Sequence, residues 1–435
     1  MTVPPNDHAA PSKRQQLKMT AAFLADLYSA KARTRWAAYV RGNPLARATL
    51  RPWRGDPYRQ YEILRARGPL VPGLDPDAVA TVSHSMCKQV LKHRSFGTDG
   101  REGVGKDAAE FNLSLLEMDP PDHTRVRRFA APAFTPRRMA VYAESIEQLV
   151  GRLVNDALTK GRFDLQKEIS APLPISVISE LLGVPDADYE VFTQYGAVLG
   201  GALDGIQSLR HGRQALQARA RLGRMFDRLI EERRTDPRDD LLTVLAQNED
   251  EAIRPEEMLP LCTLLLVAGF ETTVNLIGNA VHQLMRHRDQ WDLLTADPSL
   301  AGQAIEETLR YDPPIQLTSR ICKADTEIDG IPIKRGTWVV TVIGGANRDP
   351  EAFPDPARFD ITRTDNTDHL AFSSGIHYCI GAPLAKLEAE AALRVIAERM
   401  PDLRIAGKVP MRGSTIVHGV RELPVSAGRR ASLAT

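Results

Sequence analysis

The segment from residue 261 to residue 281, LCTLLLVAGFETTVNLIGNAV, is the most apolar run of the chain, yet Glu271 and Thr272 lie at its centre. Its length is close to the roughly 20 residues that a membrane-spanning helix needs. A carboxylate at the midpoint, with two asparagines further along, would be costly in lipid. The run therefore predicts a helix buried inside a large globular protein.

The bulk composition is that of an ordinary globular protein. The chain has 435 residues, of which 43% are hydrophobic and 26% charged, so it can bury a large core. Its net charge of +1 gives no electrostatic reason to expect a nucleic acid or a charged membrane as partner. The polar amino terminus lacks the apolar core of a signal peptide, which favours a cytoplasmic protein with free cysteines.

Hydrophobic periodicity predicts a mainly α protein with small β-sheets. Amphipathic helices are predicted over residues 142–161, 213–234 and 386–400. Short strands are predicted over residues 78–83, 326–343 and 422–427, with turns at Asp329-Gly330 and near Arg335-Gly336.

The chain shows no internal repeat and no Gly/Ser-rich linker that would divide it. We therefore expect one large domain over residues 51–427. Composition predicts a partly disordered extension over residues 1–50 and a disordered tail over residues 428–435.

The second informative segment is the cysteine loop HLAFSSGIHYCIGAPLAKLE, residues 369–388. Pro383 is suited to the first turn of a helix, so Cys379 is expected just before a helix N-terminus. There the helix dipole and free N–H groups lower the pKa of a thiol and favour the thiolate as a metal ligand. Burial as a free cysteine is the alternative for an isolated Cys.

The spacing of Phe372, Gly375, His377, Cys379 and Gly381 gives the pattern F-x-x-G-x-H-x-C-x-G, which resembles the haem-binding loop of the cytochrome P-450 family. The resemblance extends from about residue 56 to residue 425. It implies a single large P-450 fold with haem between the central long helix and the Cys-loop helix. It also implies that Cys379 is the thiolate ligand of the haem iron.

Four residues resemble the contacts that this family makes with the haem propionates. His123 and Arg127 lie four residues apart in MDPPDHTRVRRF and share one helical face. Arg320 in TSRICKAD resembles a third contact, and His377 a fourth. Taken without the resemblance, the arginine-rich helix would be read as a solvated basic face.

A structural ion-pair network is implied by the segment AIEETLRYDPP, residues 304–314. Glu307 and Arg310 match the family's E-x-x-R, and Arg358 in NRDPEAFPDPARFD is expected to be the third member. The implied role is folding and haem retention, because a buried carboxylate that lost a partner would leave a stranded charge.

The centre of the apolar run, AGFETT, resembles the helix that crosses over the haem in this family. Gly269 would leave room beside Ala268, and Thr272 can bond back to the carbonyl of Ala268 and bend the helix. The resemblance implies that Thr272 and Glu271 deliver the protons needed to reduce dioxygen. We expect burial to raise the pKa of Glu271.

The substrate pocket is expected above the haem, where mostly apolar residues would bind a hydrophobic small molecule. Any one of these residues could equally belong to the ordinary core. The predicted lining residues are Leu113, Leu116, Leu199, Leu203, Leu264, Val267, Ile315, Leu317, Ile416 and Val417.

The function implied is a haem-thiolate monooxygenase that oxidises a hydrophobic organic molecule with O₂. It would use haem b, iron protoporphyrin IX, and electrons from NAD(P)H through a ferredoxin and a ferredoxin reductase. We expect a cytoplasmic monomer without nucleic-acid or membrane partners. Oxidative coupling, desaturation and haem-based sensing stay open as alternatives. The expected basic docking face for the ferredoxin comprises Arg125, Arg128, Arg137, Arg138 and Lys386.

Overall fold

Helices dominate the computed structural model, which describes residues 13–98, 113–201, 206, 208–248, 253–414 and 416–428, with side chains from residue 23 onward. The helices are α1 (Lys13–Tyr39), α2 (Pro44–Ala48), α3 (Tyr58–Arg65), α4 (His84–Lys92), α5 (Asp122–Ala130), α6 (Pro136–Lys160), α7 (Pro172–Leu182), α8 (Tyr189–Gly200), α9 (Leu209–Thr235), α10 (Leu241–Ala246), α11 (Pro255–Arg286), α12 (Arg288–Ala296), α13 (Ala301–Tyr311), α14 (Ile343–Ala346) and α15 (Ala382–Arg399).

The strands are short and form three small sheets. They are β1 (Val71–Pro72), β2 (Ala78–Thr81), β3 (Phe96–Gly97), β4 (Arg162–Asp164), β5 (Thr318–Cys322), β6 (Thr326–Ile328), β7 (Ile331–Ile333), β8 (Trp338–Thr341), β9 (Arg404–Ile405) and β10 (Pro424–Ser426). The largest sheet has the order β1-β2-β8-β5-β3, in which only β2 and β8 are parallel. A three-stranded sheet has the order β4-β10-β9, and β6 pairs with β7 as a hairpin. The mainly α fold with small β-sheets is confirmed.

Helix α11 is the central element of the fold and contains the apolar run. Pro255 occupies its first turn, and the Glu257 carboxylate accepts a hydrogen bond from the backbone N–H of Arg254 at 2.9 Å. The helix packs against α7, α8, α13 and α15. Among the described helices it alone is long and apolar enough for a membrane span, but 78% of its most apolar window is buried in the fold, as expected of a core helix.

The turn predicted at Asp329-Gly330 is observed between β6 and β7. Asp329 and Gly330 have φ angles of 48° and 78°, the left-handed values that a tight hairpin turn needs. Gly336, with φ of 87°, precedes β8. The expected strand region at 326–343 is therefore three strands separated by these turns.

The two ends of the chain are only partly covered by the description. Residues 1–12 and 429–435 lie outside it, so the disorder expected there stays a prediction, as does the boundary at residue 51. Residues of the expected extension contribute to the folded core: Leu45 and Ala48 pack with Tyr61 and Leu64 in one buried cluster.

The ion-pair network has a different third member from the one predicted. Glu307 and Arg310 are both fully buried, and Nη2 of Arg310 lies 2.7 Å from Oε1 of Glu307. Arg358 is 66% exposed and pairs with Asp360 instead, while its carbonyl oxygen accepts from Arg310 at 2.9 Å. The backbone of Arg358, not its guanidinium, faces the network, so the prediction for Arg358 was wrong.

Arg363 takes the place expected for Arg358. Its guanidinium is 9% exposed, and Nε lies 3.7 Å from Oε2 of Glu307. Arg363 also donates to the carbonyl oxygens of Pro354 and Asp355 at 2.8 Å and 3.2 Å. The network therefore ties α13 to the irregular segment that leads to the cysteine loop.

Replacing Arg363 by Leu should destabilise the protein far more than replacing Arg358 by Leu. Loss of Arg363 removes positive charge from a buried carboxylate, which we expect to lower the free energy of unfolding by about 3 kcal/mol. Loss of the exposed Arg358–Asp360 pair should change it by less than about 1 kcal/mol. Urea unfolding of the two variants measures the difference, and equal losses would contradict this assignment.

Candidate active site

The cysteine loop holds Cys379 immediately before α15, as the sequence predicted. Its backbone N–H donates to the carbonyl oxygen of Phe372 at 2.9 Å, which closes the loop on itself. Pro383 lies in the first turn of the helix. Cys379 is exposed, whereas Cys87, Cys262 and Cys322 are buried free thiols.

Two residues of the loop adopt left-handed backbone conformations. Gly375 has φ of 70°, and a Cβ there would lie 2.5 Å from the carbonyl oxygen of Leu91, so the position requires glycine. Ser373 has φ of 63°. A side chain costs about 1 kcal/mol in this conformation. Gly381 has ordinary φ and space around it, so it is not needed for the backbone path.

Opposing influences act on the Cys379 thiol. The protein that surrounds the sulfur raises its pKa. The N–H groups of Gly381 and Ala382 at the start of α15 and the guanidinium of Arg127 all act to lower that pKa. Cys379 is thus an exposed residue whose sulfur faces helix N–H groups, an arrangement suited to a thiolate that binds a cation.

A cluster of nitrogen donors near this loop has no anion to bind within the described residues. The Nε2 atoms of His123 and His377 are buried without hydrogen-bond partners there, and the two rings are 4.4 Å apart. Burial and the neighbouring Arg320 and His123 lower the pKa of His377 to about 3. Burial and Arg127 lower the pKa of His123. The predicted convergence of these side chains is observed.

Arg320 is the most deeply buried cation of the cluster. It lies on β5, and the described residues give it no ion pair, only hydrogen bonds to Thr318 Oγ1 at 3.2 Å and the Ser319 carbonyl oxygen at 2.8 Å. Burial lowers its pKa to about 10, and Asp119 opposes this shift. A guanidinium in such a place is stabilised when a carboxylate binds it, because a desolvated unpaired charge is costly. Arg127 donates to the carbonyl oxygen of Tyr378 at 2.7 Å.

The buried central stretch of helix α11, residues 260–281, has accessible side chains at one place only. Between residues 260 and 281 every residue is buried except Ala268, Gly269 and Thr272. Thr272 Oγ1 donates to the carbonyl oxygen of Ala268 at 2.6 Å, the back-bond that the sequence predicted. A Cβ on Gly269 would lie 3.3 Å from Cδ1 of Ile178, so this glycine permits close packing of α11 on α7 rather than leaving room beside Ala268.

Glu271 is buried in the middle of α11. It forms an ion pair with Arg412, which lies in the segment between β9 and β10. Its backbone carbonyl accepts a hydrogen bond from Asn275 at 2.7 Å. Arg412 is a site residue that the sequence did not reveal, because no local pattern connects it to α11.

The predicted pocket residues differ in how far their side chains are buried. Leu199, Leu264, Val267 and Val417 are buried, the first three within the main core, and Leu203 lies outside the described residues. Leu116 is exposed. Leu113, Ile315, Leu317 and Ile416 are half-buried, as expected of cavity-lining side chains. Ile315 pairs with Val417 across an isolated β-bridge, and Gln316 N–H donates to the Ile416 carbonyl oxygen at 2.9 Å, so these two segments do meet.

These features fit a haem group. The exposed sulfur at a helix N-terminus suits an iron ligand. The buried arginine and the unpartnered imidazole nitrogens suit carboxylate side arms, and the accessible surface at Ala268 and Thr272 lies on the helix that packs against α15. Fold and site together define a haem-thiolate protein.

Comparison with known proteins agrees. The cytochrome P450 family model matches residues 74–399. PikC, a cytochrome P450 monooxygenase of Streptomyces venezuelae, is 39% identical over 396 residues, which cover 86% of this chain and 93% of PikC. The 6-deoxyerythronolide B hydroxylase of Saccharopolyspora erythraea is 35% identical, over 85% of this chain and 96% of that one.

A solved structure of P450BioI, in complex with an acyl carrier protein ligated to hexadec-9Z-enoic acid, superposes with a TM-score of 0.81 at 33% identity. The match covers 86% of this chain and 98% of that one. The chain belongs to the cytochrome P450 family and is a P450 monooxygenase.

Replacing Arg320 by Leu should weaken haem binding while leaving the haem-free protein at least as stable as before. A charged hydrogen bond to a carboxylate contributes about 1.5–3 kcal/mol, so we expect haem affinity to fall about ten- to a hundredfold. Removal of a desolvated, unpaired cation should not lower the apoprotein's free energy of unfolding.

Haem titration of the apoprotein and urea unfolding measure the two effects. Arg128→Leu, an exposed position on α5, is the control and should change neither. Unchanged haem affinity in Arg320→Leu would show that this guanidinium does not bind the group.

Proposed function

We propose that this P450 oxidises a hydrophobic small organic molecule by hydroxylation or epoxidation, with haem b as cofactor. The observation that carries the proposal is the one break in the burial of residues 260–281 of α11, where the half-buried Thr272 lies directly beside the buried, ion-paired Glu271. A merely structural core helix has no need of an ion-paired carboxylate at its midpoint, because burying charges is costly even when they are paired.

Cys379 would hold the haem iron through its sulfur, with the N–H groups of Gly381 and Ala382 stabilising the negative charge. His123, Arg127, Arg320 and His377 would bind the carboxylate side arms. When bound, haem supplies the site at which dioxygen is activated and one of its oxygen atoms is transferred to substrate. Phe372 and Gly375 would shape the loop around the sulfur.

Thr272 and Glu271 would manage the protons. The Thr272 hydroxyl donates to the carbonyl oxygen of Ala268. Its own oxygen can therefore still accept a hydrogen bond from a proton donor on the solvent side. Glu271 would take up protons from solvent and release them toward Thr272. Arg412 positions the Glu271 carboxylate, so relay through Glu271 requires this ion pair to loosen.

The substrate class follows from the side chains at the site. Leu113, Ile315, Leu317 and Ile416 offer half-buried apolar surface. The relatives named above act on or were solved with 6-deoxyerythronolide B and hexadec-9Z-enoic acid, both largely apolar molecules. This supports a hydrophobic guest without selecting one.

Electrons would come from NAD(P)H through a ferredoxin and its reductase in the cytoplasm. Three of the five cations expected to dock the ferredoxin already have carboxylate partners: Arg125 with Glu257, Arg138 with Asp239 and Lys386 with Glu306. Arg128 and Arg137 are exposed and form no ion pair within the described residues. These two would carry most of the attraction to an acidic partner.

Thr272→Ala should still bind substrate and accept electrons but divert them to hydrogen peroxide. Loss of the hydroxyl removes the group that positions the proton donor, so product per NAD(P)H should fall about tenfold or more. The substrate is first identified by screening hydrophobic compounds for a shift in haem spin state. Peroxide and product are then quantified against NAD(P)H consumed.

Thr273→Ala is the matched control, because Thr273 is the adjacent, buried threonine of the same helix. We expect Thr273→Ala to keep the wild-type ratio of product to NAD(P)H. A wild-type ratio in Thr272→Ala would refute the role of Thr272, and equal uncoupling in both variants would indicate a structural effect instead.

A further inference from the structure

The net charge of the whole chain conceals a strong local asymmetry. Residues 13–54 contain ten Lys and Arg and one Asp, a net charge of +9, although the complete chain carries only +1. This segment comprises α1, α2 and the turn around Trp53. A positive field of this density attracts an anionic surface.

Helix α1 also exposes aromatic side chains. Tyr28, Trp36 and Tyr39 are 60%, 49% and 59% exposed, and Ala32 is exposed as well. Their spacing of i, i+4, i+8 and i+11 places them in one stripe, about 16 Å long at 1.5 Å per residue. The half-buried Leu27 and Thr34 and the buried Ala38 lie on another side of the helix. From Tyr28 to Trp36 the exposed stripe is therefore not the face that α1 packs on the fold.

Cations flank the aromatic stripe. Arg33 and Arg35 are exposed on either side of it, and the Arg41 guanidinium lies 4.2 Å from the centre of the Trp36 ring. Arg33 donates to Ser29 Oγ at 3.5 Å and forms a loose surface contact, 3.8 Å, with Asp75. Long cationic side chains beside Trp and Tyr are the combination found where a helix lies in a lipid headgroup layer.

The base of this segment is fixed to the rest of the molecule. Tyr39 OH donates to the carbonyl oxygen of Arg51 at 2.7 Å, and its ring lies 5.3 Å from that of Trp53. Arg54 donates to the carbonyl oxygen of Gly413 at 3.0 Å, next to Arg412. Binding through α1 would therefore orient the whole protein, with the segment that contains Arg412 on the bound side.

We propose that α1 docks this protein onto a bilayer surface rich in anionic phospholipid. The helix would lie in the headgroup layer, with its aromatic stripe in the acyl boundary and its arginines on the lipid phosphates. An acidic protein partner would match the charge but gives no reason for a stripe of Tyr, Ala, Trp and Tyr along one face. A nucleic acid would likewise use the charge without requiring that stripe on a helix.

The experiment is flotation of the full-length holoenzyme with vesicles of phosphatidylglycerol and phosphatidylcholine, or of phosphatidylcholine alone. We expect binding to the anionic vesicles only, weakening as salt rises. The variant Arg33→Glu/Arg35→Glu should bind at least about tenfold more weakly. Arg234→Glu/Arg238→Glu makes the same change in charge at exposed positions on and after α9 and should bind within about twofold of wild type.

A second variant separates lipid insertion from simple charge attraction. Tyr28→Ser/Trp36→Ser keeps every charge and leaves the Tyr39 contacts in place, and we expect it to lose the binding that persists at high salt. Trp36 fluorescence should shift to the blue on anionic vesicles, a shift that Trp36→Phe lacks. Far-ultraviolet circular dichroism checks that the variants remain folded.

Several results would overturn the proposal. Failure of the holoenzyme to float with anionic vesicles would do so directly. Equal weakening by the α9 control pair would assign any binding to overall charge. Tight binding to duplex DNA that is insensitive to Tyr28→Ser/Trp36→Ser, or a stable dimer dissolved by that change, would assign the surface to a different partner.

Discussion

The site depends on one physical constraint: charges and donors that are buried together need a partner of opposite sign. The desolvated guanidinium of Arg320 lies with the imidazoles of His123 and His377, whose Nε2 atoms have no hydrogen-bond partner within the described residues. His377 belongs to the loop that holds the Cys379 sulfur at a helix N-terminus. Their isolation in the protein is unfavourable, and binding an anionic, iron-containing macrocycle relieves it. Cofactor retention and folding are therefore expected to be coupled in this protein.

The rest of the fold positions the two sides of that site. Helix α11 gives one side, and the burial of its residues 260–281 everywhere but at Ala268, Gly269 and Thr272 defines where a reacting molecule can approach. Helix α15 and its preceding loop give the other side, and the buried Glu307 network anchors the segment that leads into the loop. Packing among α11, α13 and α15 thus sets the distance between α11 and the loop that precedes α15.

Much of this was predictable, because its causes are local in sequence. The start of α15 after Gly381, the bond from Thr272 to Ala268 and the shared face of His123 and Arg127 each follow from a few neighbouring residues. The long apolar run around Glu271 likewise identified the central helix without reference to anything distant.

The predictions were wrong or incomplete where contacts between distant segments determine the structure. Arg358 and Arg363 are close in sequence, and the path of an irregular backbone decides which guanidinium faces Glu307. The sequence pattern therefore predicted Arg358, whereas Arg363 is the residue near Glu307. Arg412 meets Glu271 only through the tertiary fold. Gly269 faces Ile178 because of the way α7 packs, which no pattern in α11 reveals.

The absorption spectrum of the reduced, CO-bound protein tests the central claim most directly, because the Soret band reports whether a thiolate binds the haem iron. If Cys379 binds the iron, the wild type should show the strongly red-shifted thiolate band. So should a variant in which Cys87, Cys262 and Cys322 are all replaced by Ser. Cys379→Ser should lose that band. Persistence of the red-shifted band in Cys379→Ser, or its absence from the haem-loaded wild type, would show that Cys379 is not the iron ligand.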